Sequence, residues 1–176
     1  AREYNRLDMA DRNFGELKLA LLNKHGRGIA ANYGLHPRMG KYHRSFCLSC
    51  NRIANEPAPV TRCPACGSDR MVMGVYDRIV MIQDAPCSRQ PPDRPPYYYR
   101  IPLKDLPGIG PVAYRRLLEA FANEIDVMEN VPIEDIRRII GDRPAAAVLA
   151  MRSGSLVIKD GGGGHYGRAS VPADMI

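Results

Sequence analysis

Apolar positions in this chain fall in short runs whose period changes several times. Over residues 13–24, Phe14, Leu17, Leu21 and Leu22 recur at helical spacing with Gly26 just beyond, which predicts a helix. Residues 28–33 are short, apolar and closed by Gly34, and predict a strand. Polar and basic residues follow from His36 to Arg44. Residues 70–73 predict a ribbon strand. Val75, Ile79 and Ile82 then return to helical spacing, although their branched side chains weaken the preference. Five prolines (Pro86, Pro91, Pro92, Pro95, Pro96) read as a stiff, extended linker and a domain boundary. Beyond it the pattern is helical as far as Met151, with candidate helices over 102–106, 112–122, 132–140 and 144–151. Residues 156–158 predict a short strand, and the glycines from Gly161 to Gly164 end regular structure.

Between two of these helical stretches lies Leu106-Pro107-Gly108-Ile109-Gly110, which has the form of the hairpin in a helix-hairpin-helix. Gly108 and Gly110 suit a tight interhelical turn and let a phosphodiester strand come close. Pro111 suits the first position of the next helix. The amides of Gly110, Val112 and Ala113 would lie at that helix's N-terminus, where the macrodipole favours an anion. Such a turn holds phosphate and reads no base. The alternative is an ordinary turn between packed helices. A second stretch, Val131-Pro132-Ile133-Glu134-Asp135-Ile136, echoes Ile101-Pro102-Leu103-Lys104-Asp105-Leu106, and a turn at Gly141-Asp142-Arg143-Pro144 follows it. It reads as a degenerate second copy or as coincidence.

Cys47-x2-Cys50 and Cys63-x2-Cys66 are separated by 12 residues. Two such knuckles complete a tetrahedral shell, which predicts zinc in a structural role, because four thiolates leave no open coordination position. Cys87 is a bystander. This use of cysteine, with no secretion signal, predicts a reducing, cytoplasmic location. No apolar run is long enough for a membrane span. The chain begins at Ala1 and not Met, which predicts a processed product, a trimmed chain or a fragment.

The net charge of +6 is unevenly placed: nine Lys or Arg between residues 18 and 70 face only Glu56 and Asp69. Even after a −2 correction for four thiolates on one zinc, this block points to a polyanion. Within it, Lys41-Tyr42-His43-Arg44 fits phosphate contact with base stacking, or equally a solvated loop packing its tyrosine. Tyr97, Tyr98 and Tyr99 suit packing better than stacking. Arg115 and Arg116 lie within reach of a strand bound at the hairpin, while Arg137, Arg138 and Arg152 read as further contacts or as an ordinary charged helix face. Residues 161–168, with His165, Tyr166 and Arg168, offer close approach and donors, but their composition favours a flexible tail. Four scattered histidines and no nucleophile–base pair supply no catalytic constellation.

These motifs occur in series, and the series resembles one family. Arg2-Glu3-Tyr4-Asn5, Ala31-Asn32-Tyr33-Gly34-Leu35-His36-Pro37, Gly40-Lys41-Tyr42-His43-Arg44, the cysteine quartet, the Leu106–Gly110 turn and Gly161–Gly167 follow the order seen in endonuclease Q and its bacterial relatives. The resemblance implies a PHP (polymerase and histidinol phosphatase) metal-dependent phosphoesterase domain, a zinc ribbon and a helical C-terminal region. It also implies nicking on the 5′ side of deaminated bases. On this likeness the chain starts after the last metal-binding motif of the PHP domain.

The expected fold is therefore α+β. Residues 1–40 would be the closing helix and strand of a PHP-like domain, 41–84 a zinc ribbon and 85–100 a Pro-rich linker. Residues 101–160 would form a tandem helix-hairpin-helix domain and 161–176 a Gly-rich tail. The expected function is to hold duplex DNA near a lesion while a PHP domain or subunit, not in this chain, cuts. Gly108, Ile109, Gly110, Val112 and Arg115 would contact DNA, joined by Lys41, His43 and Arg44. A stand-alone DNA-binding protein and a zinc-stabilised protein-interaction module are the alternatives.

Overall fold

The computed structural model describes residues 3–87 and 89–175; Arg2 of the first motif, Ser88 of the linker and Ile176 of the tail lie outside them. The chain opens with β1 (Tyr4–Asp8), α1 (Phe14–Leu21) and β2 (Gly28–Gly34), followed by a 3-10 turn at Pro37–Met39. Next come β3 (Phe46–Cys47), β4 (Arg52–Ile53), β5 (Met71–Val72) and α2 (Val75–Ile82). Then follow β6 (Tyr97–Tyr99), a 3-10 turn at Leu103–Asp105, α3 (Pro111–Ala120), α4 (Glu124–Glu129), α5 (Ile133–Ile140) and α6 (Asp142–Ser153). The chain closes with β7 (Val157–Lys159), β8 (Arg168–Ser170) and a 3-10 turn at Ala173–Met175.

These elements form two compact units, and neither is continuous in sequence. One comprises Ala1–Leu35 and Arg89–Gly154, the other His36–Ser88 and Ser155–Ile176. This differs from the linear order of segments expected above, because strand pairing joins residues far apart along the chain.

In the first unit, β1 and β2 pair antiparallel, with a bulge between Arg6 and Leu7. β6 adds parallel to the other side of β2, pairing Tyr97 with Asn32 and Tyr99 with Gly34. The proline-rich stretch thus ends in a strand, earlier than the boundary at residue 100. Asn13 caps α1 by accepting the Glu16 amide at 2.9 Å. The helix buries Ala20, while Phe14 and Leu21, expected on its packed face, are 81% and 63% exposed. The helical core gathers Leu103, Leu106, Ile109, Leu117, Met128, Ile136, Val148 and Met151, all buried. A buried side chain of this size contributes about 1.5–3 kcal/mol. Glu129 ties the sheet to the helices: it accepts from Arg100 at 2.6 and 3.1 Å and from the Tyr4 hydroxyl at 2.8 Å. The Arg100 guanidinium also lies over the Tyr33 and Tyr98 rings, 5.5 and 5.3 Å from their centres.

The second unit is built on a three-stranded antiparallel ribbon in the order β4-β3-β5. A separate hairpin, β7-β8, supplies its C-terminal part. The segment between those strands is stitched onto residues 38–44. Gly161 donates to the Arg38 carbonyl (2.8 Å) and accepts from the Arg44 amide (2.9 Å), while Gly164 and Gly167 donate to the Lys41 and Met39 carbonyls (both 3.0 Å). Packing this close excludes side chains: a Cβ on Gly161 would meet the Gly40 carbonyl, and one on Gly163 would run into the Phe46 ring. Residues 161–170 are thus an integral part of the unit and not a flexible tail. Glycine here serves close approach, which composition alone reads as flexibility.

Candidate metal centre and nucleic-acid interface

Cys47 leaves β3 into the first knuckle, and Cys63–Gly67 form the second, closed by a Gly67 amide donating to the Cys63 carbonyl at 2.8 Å. All four sulfurs lie within 4.8 Å of one another, with Cys47–Cys66 and Cys50–Cys63 each 3.6 Å apart. A tetrahedral ion with bonds of about 2.3 Å to sulfur sets its ligands about 3.8 Å apart, so the quartet has the dimensions of a metal site. The Cys50 amide pulls the Cys47 thiol down to about 6, and the Cys66 amide likewise lowers Cys63. Cys50, hydrogen-bonded to the Cys63 sulfur, is pushed up to about 12, as expected of thiols too crowded to ionise together without a shared cation. Cys87 is exposed and outside the cluster. Among the described residues, the quartet is the only group of three or more His, Cys, Asp or Glu poised to hold an ion.

Behind the ribbon sits a buried carboxylate that motif reading did not single out. Asp77, on α2, accepts from Arg44 Nε at 3.1 Å and from the amides of Ser45 (2.9 Å) and Val60 (2.8 Å). Burial would raise its pKa, but Arg44 and the two amides outweigh that and hold it below the usual carboxylate range. Its signal in the sequence was faint: one acidic residue inside the apolar 75–82 stretch.

Arg44, expected at a DNA surface, is 6% exposed, and its guanidinium is occupied by Asp77 and by the Glu56 carbonyl at 2.6 Å. It is a structural arginine. Its neighbour His43 stacks on Tyr76 with ring centres 5.3 Å apart. Burial lowers the His43 pKa below its ordinary 6.5, which favours the neutral ring. Lys41, by contrast, holds its ammonium 5.1 Å from the centre of the Tyr42 ring.

The Leu106–Gly110 turn links the 3-10 turn at Leu103–Asp105 to α3. Gly108 takes φ +81°, and a Cβ there would come 3.3 Å from Pro144, near the start of α6. The two glycine turns therefore meet. Ile109 is buried and its amide donates to the Leu106 carbonyl at 3.2 Å, so this residue anchors the turn and does not face a ligand. Gly110 caps α3 without a side-chain hydrogen bond. The amides of Val112 and Ala113 lie in the first helical turn, which offers them no acceptor. Val112, Arg115 and Arg116 are exposed. Three other arginines have structural partners: Arg137 pairs with Glu134 and Asp142, and Arg138 with Asp135. Arg152 donates to the carbonyls of Val127, Met128 and Val131 at 2.7–3.0 Å, closing the end of α4. The candidate contacts thus fall in both units, Gly108–Arg115 in one and Lys41–His43 in the other.

A four-thiolate cluster on a small ribbon, in a chain that also carries a mixed sheet and a group of helices, makes a fold that is similar over nearly its whole length to solved structures of endonuclease Q. The crystal structure of the lesion-specific endonuclease PfuEndoQ from Pyrococcus furiosus matches with a TM-score of 0.79 and 34% identity, covering 99% of this chain and 46% of that one. A crystal structure of endonuclease Q in complex with a 27-mer duplex carrying an abasic lesion at its active site matches with a TM-score of 0.72, with the same identity and coverage. The uncharacterised Bacillus subtilis protein YqxK is 41% identical over 169 residues, and the Methanocaldococcus jannaschii protein MJ0043 is 35% identical over 187. Those alignments take in 95% and 96% of this chain but 42% and 23% of the relatives, so the chain spans less than half the length of the proteins it matches. No family model matches it. No helix among the described residues is long and apolar enough to cross a membrane.

Proposed function

We propose that this chain is the DNA-holding portion of an endonuclease Q-like repair nuclease. The observation that carries this reading is its likeness, over 99% of its residues, to an endonuclease Q bound to a lesion-bearing duplex. In this reading the turn at Gly108–Gly110 and the start of α3 act as a helix-hairpin-helix. The amides of Gly110, Val112 and Ala113 would meet phosphate oxygens at a helix N-terminus, with Arg115 beside them. Lys41 adds a positive charge and His43 a ring N–H donor. Zinc is the ion that suits a closed set of four thiolates, in a reducing, cytoplasmic compartment; its role is to fold the ribbon. Cleavage of the strand on the 5′ side of a deaminated base would belong to a PHP metal centre, in a domain or subunit beyond the stretch described here.

The reading is tested by titrating a labelled duplex with the zinc-loaded protein across ionic strength. Affinity is expected to fall steeply and log-linearly with salt as counterions are released. Unmeasurable affinity at low salt would overturn it.

A further inference from the structure

The second unit brings together two sequence segments more than 110 positions apart. The Gly164 amide donates to the Lys41 carbonyl at 3.0 Å, which fixes the 161–167 loop beside residues 40–44. As a result the Lys41 ammonium lies between two tyrosines, 5.1 Å from the Tyr42 ring centre and 6.0 Å from that of Tyr166. Tyr42 and Tyr166 are each more than half exposed, at 54% and 58%, so much of each side chain is open to solvent. The same hairpin carries an unusual pair: Lys159 and Arg168 sit directly opposite each other on β7 and β8. Like charges so placed repel, and neither makes an ion pair among the described residues, so an anion between them would relieve the repulsion.

The geometry points to a base-stacking platform for unpaired DNA, formed by Tyr42 and Tyr166 around Lys41. Exposed aromatic faces combined with unneutralised cations match a strand that presents flat bases and regularly spaced phosphates. An acidic peptide would use the cations and leave the rings idle. A closed duplex keeps its base faces stacked inside and offers only edges and phosphates. The ligand is therefore a strand whose bases are unstacked, as at an opened or distorted site. The tyrosines take the bases, and Lys41, with Lys159 and Arg168, meets phosphates. The glycines gain a purpose too, since only a loop without side chains can lie close enough to residues 38–46 to bring Tyr166 to Lys41.

This inference rests on the DNA-holding reading and deepens it, and the test separates the two. Zinc-loaded protein is titrated with a short oligothymidylate, with an oligomer of equal length built from abasic units, and with a duplex. The protein is expected to prefer oligothymidylate over the abasic strand, which carries the same charge without bases. Tyr42→Leu and Tyr166→Leu should each reduce oligothymidylate affinity by about 5-fold or more, while Tyr42→Phe and Tyr166→Phe retain it. Zinc content and thermal unfolding check that each variant is folded. Equal binding of the two single strands, or leucine variants that bind oligothymidylate as well as wild type, would overturn the platform while duplex binding leaves the wider reading standing. No affinity for any of the three DNAs would overturn both.

Discussion

At the scale of single residues, charge identity proved a poor guide to charge use. Arg44 sits in a basic run beside Lys41, yet one faces Asp77 and the other faces solvent-exposed rings. Removing one partner of a buried ion pair leaves the other uncompensated, which costs about 3–5 kcal/mol. Arg44→Ala is therefore expected to destabilise the second unit by about that amount in denaturant titrations of the zinc-loaded protein; an unchanged midpoint would show the pair to be dispensable. A different residue sets a pH limit in the first unit. Burial, followed by its hydrogen bond to Glu129, raises the Tyr4 pKa above the ordinary 10.0. The folded state then holds this proton more tightly than the unfolded state. Tyr4's contribution is thus complete below pH 10 and erodes as the pH rises past it. Unfolding midpoints of the first unit should fall above pH 10, and Tyr4→Phe, with no proton to lose, should flatten that fall. An equally steep fall in the variant would exclude Tyr4 as its source.

At the scale of elements, local signals were legible and distant ones were not. The cysteine knuckles, the start of α3 at Pro111 and the 75–82 helix each depend on residues within a turn or two, so their spacing is visible in the chain. β6 was missed because its partner β2 lies more than 60 residues away, and three consecutive tyrosines carry no register. The 161–167 loop was misread because glycine serves both disorder and close packing, and only the neighbouring Phe46 ring and Gly40 carbonyl tell them apart. Of the hairpin residues, Ile109 has the apolar character of a core position and is buried, whereas the amides beside Gly110 are a backbone property that any sequence starting a helix there would have. The two glycines are now separable by experiment. Gly108 needs its positive φ, so its replacement would confound folding with binding. Gly110 has an ordinary φ of −81° and open space where a Cβ would go. Gly110→Ala is expected to leave the unfolding midpoint nearly unchanged while placing a methyl group in the path of a phosphate. Losing one such charge-assisted hydrogen bond would weaken duplex binding by about 10-fold. Full affinity in this variant would remove the turn from the DNA surface.

At the scale of the whole molecule, the two units differ in what folds them. The first has its own apolar core, with Leu117, Met128 and Ile136 fully buried, and the Glu129 cluster joins its sheet to its helices. The second has short ribbon strands, several of only two residues, and few large buried side chains apart from Met39, Val60 and Ile158. Such a segment depends on its ion, because binding energy at four thiolates becomes folding energy. The ribbon and the C-terminal hairpin are also bonded through Arg44–Gly161 and Lys41–Gly164, so metal loss should release both. Chelation is expected to abolish amide protection over 41–83 and, with it, over 157–170, more than 70 residues away in sequence. Amides of α3 and α5 should stay protected. A linear arrangement of domains would instead leave 157–170 indifferent to the metal. Hydrogen exchange with and without chelator distinguishes these outcomes. Persistent protection at Ile158 after metal removal would break the proposed coupling between ion and hairpin, and loss of protection at Leu117 would show that the first unit does not stand on its own core.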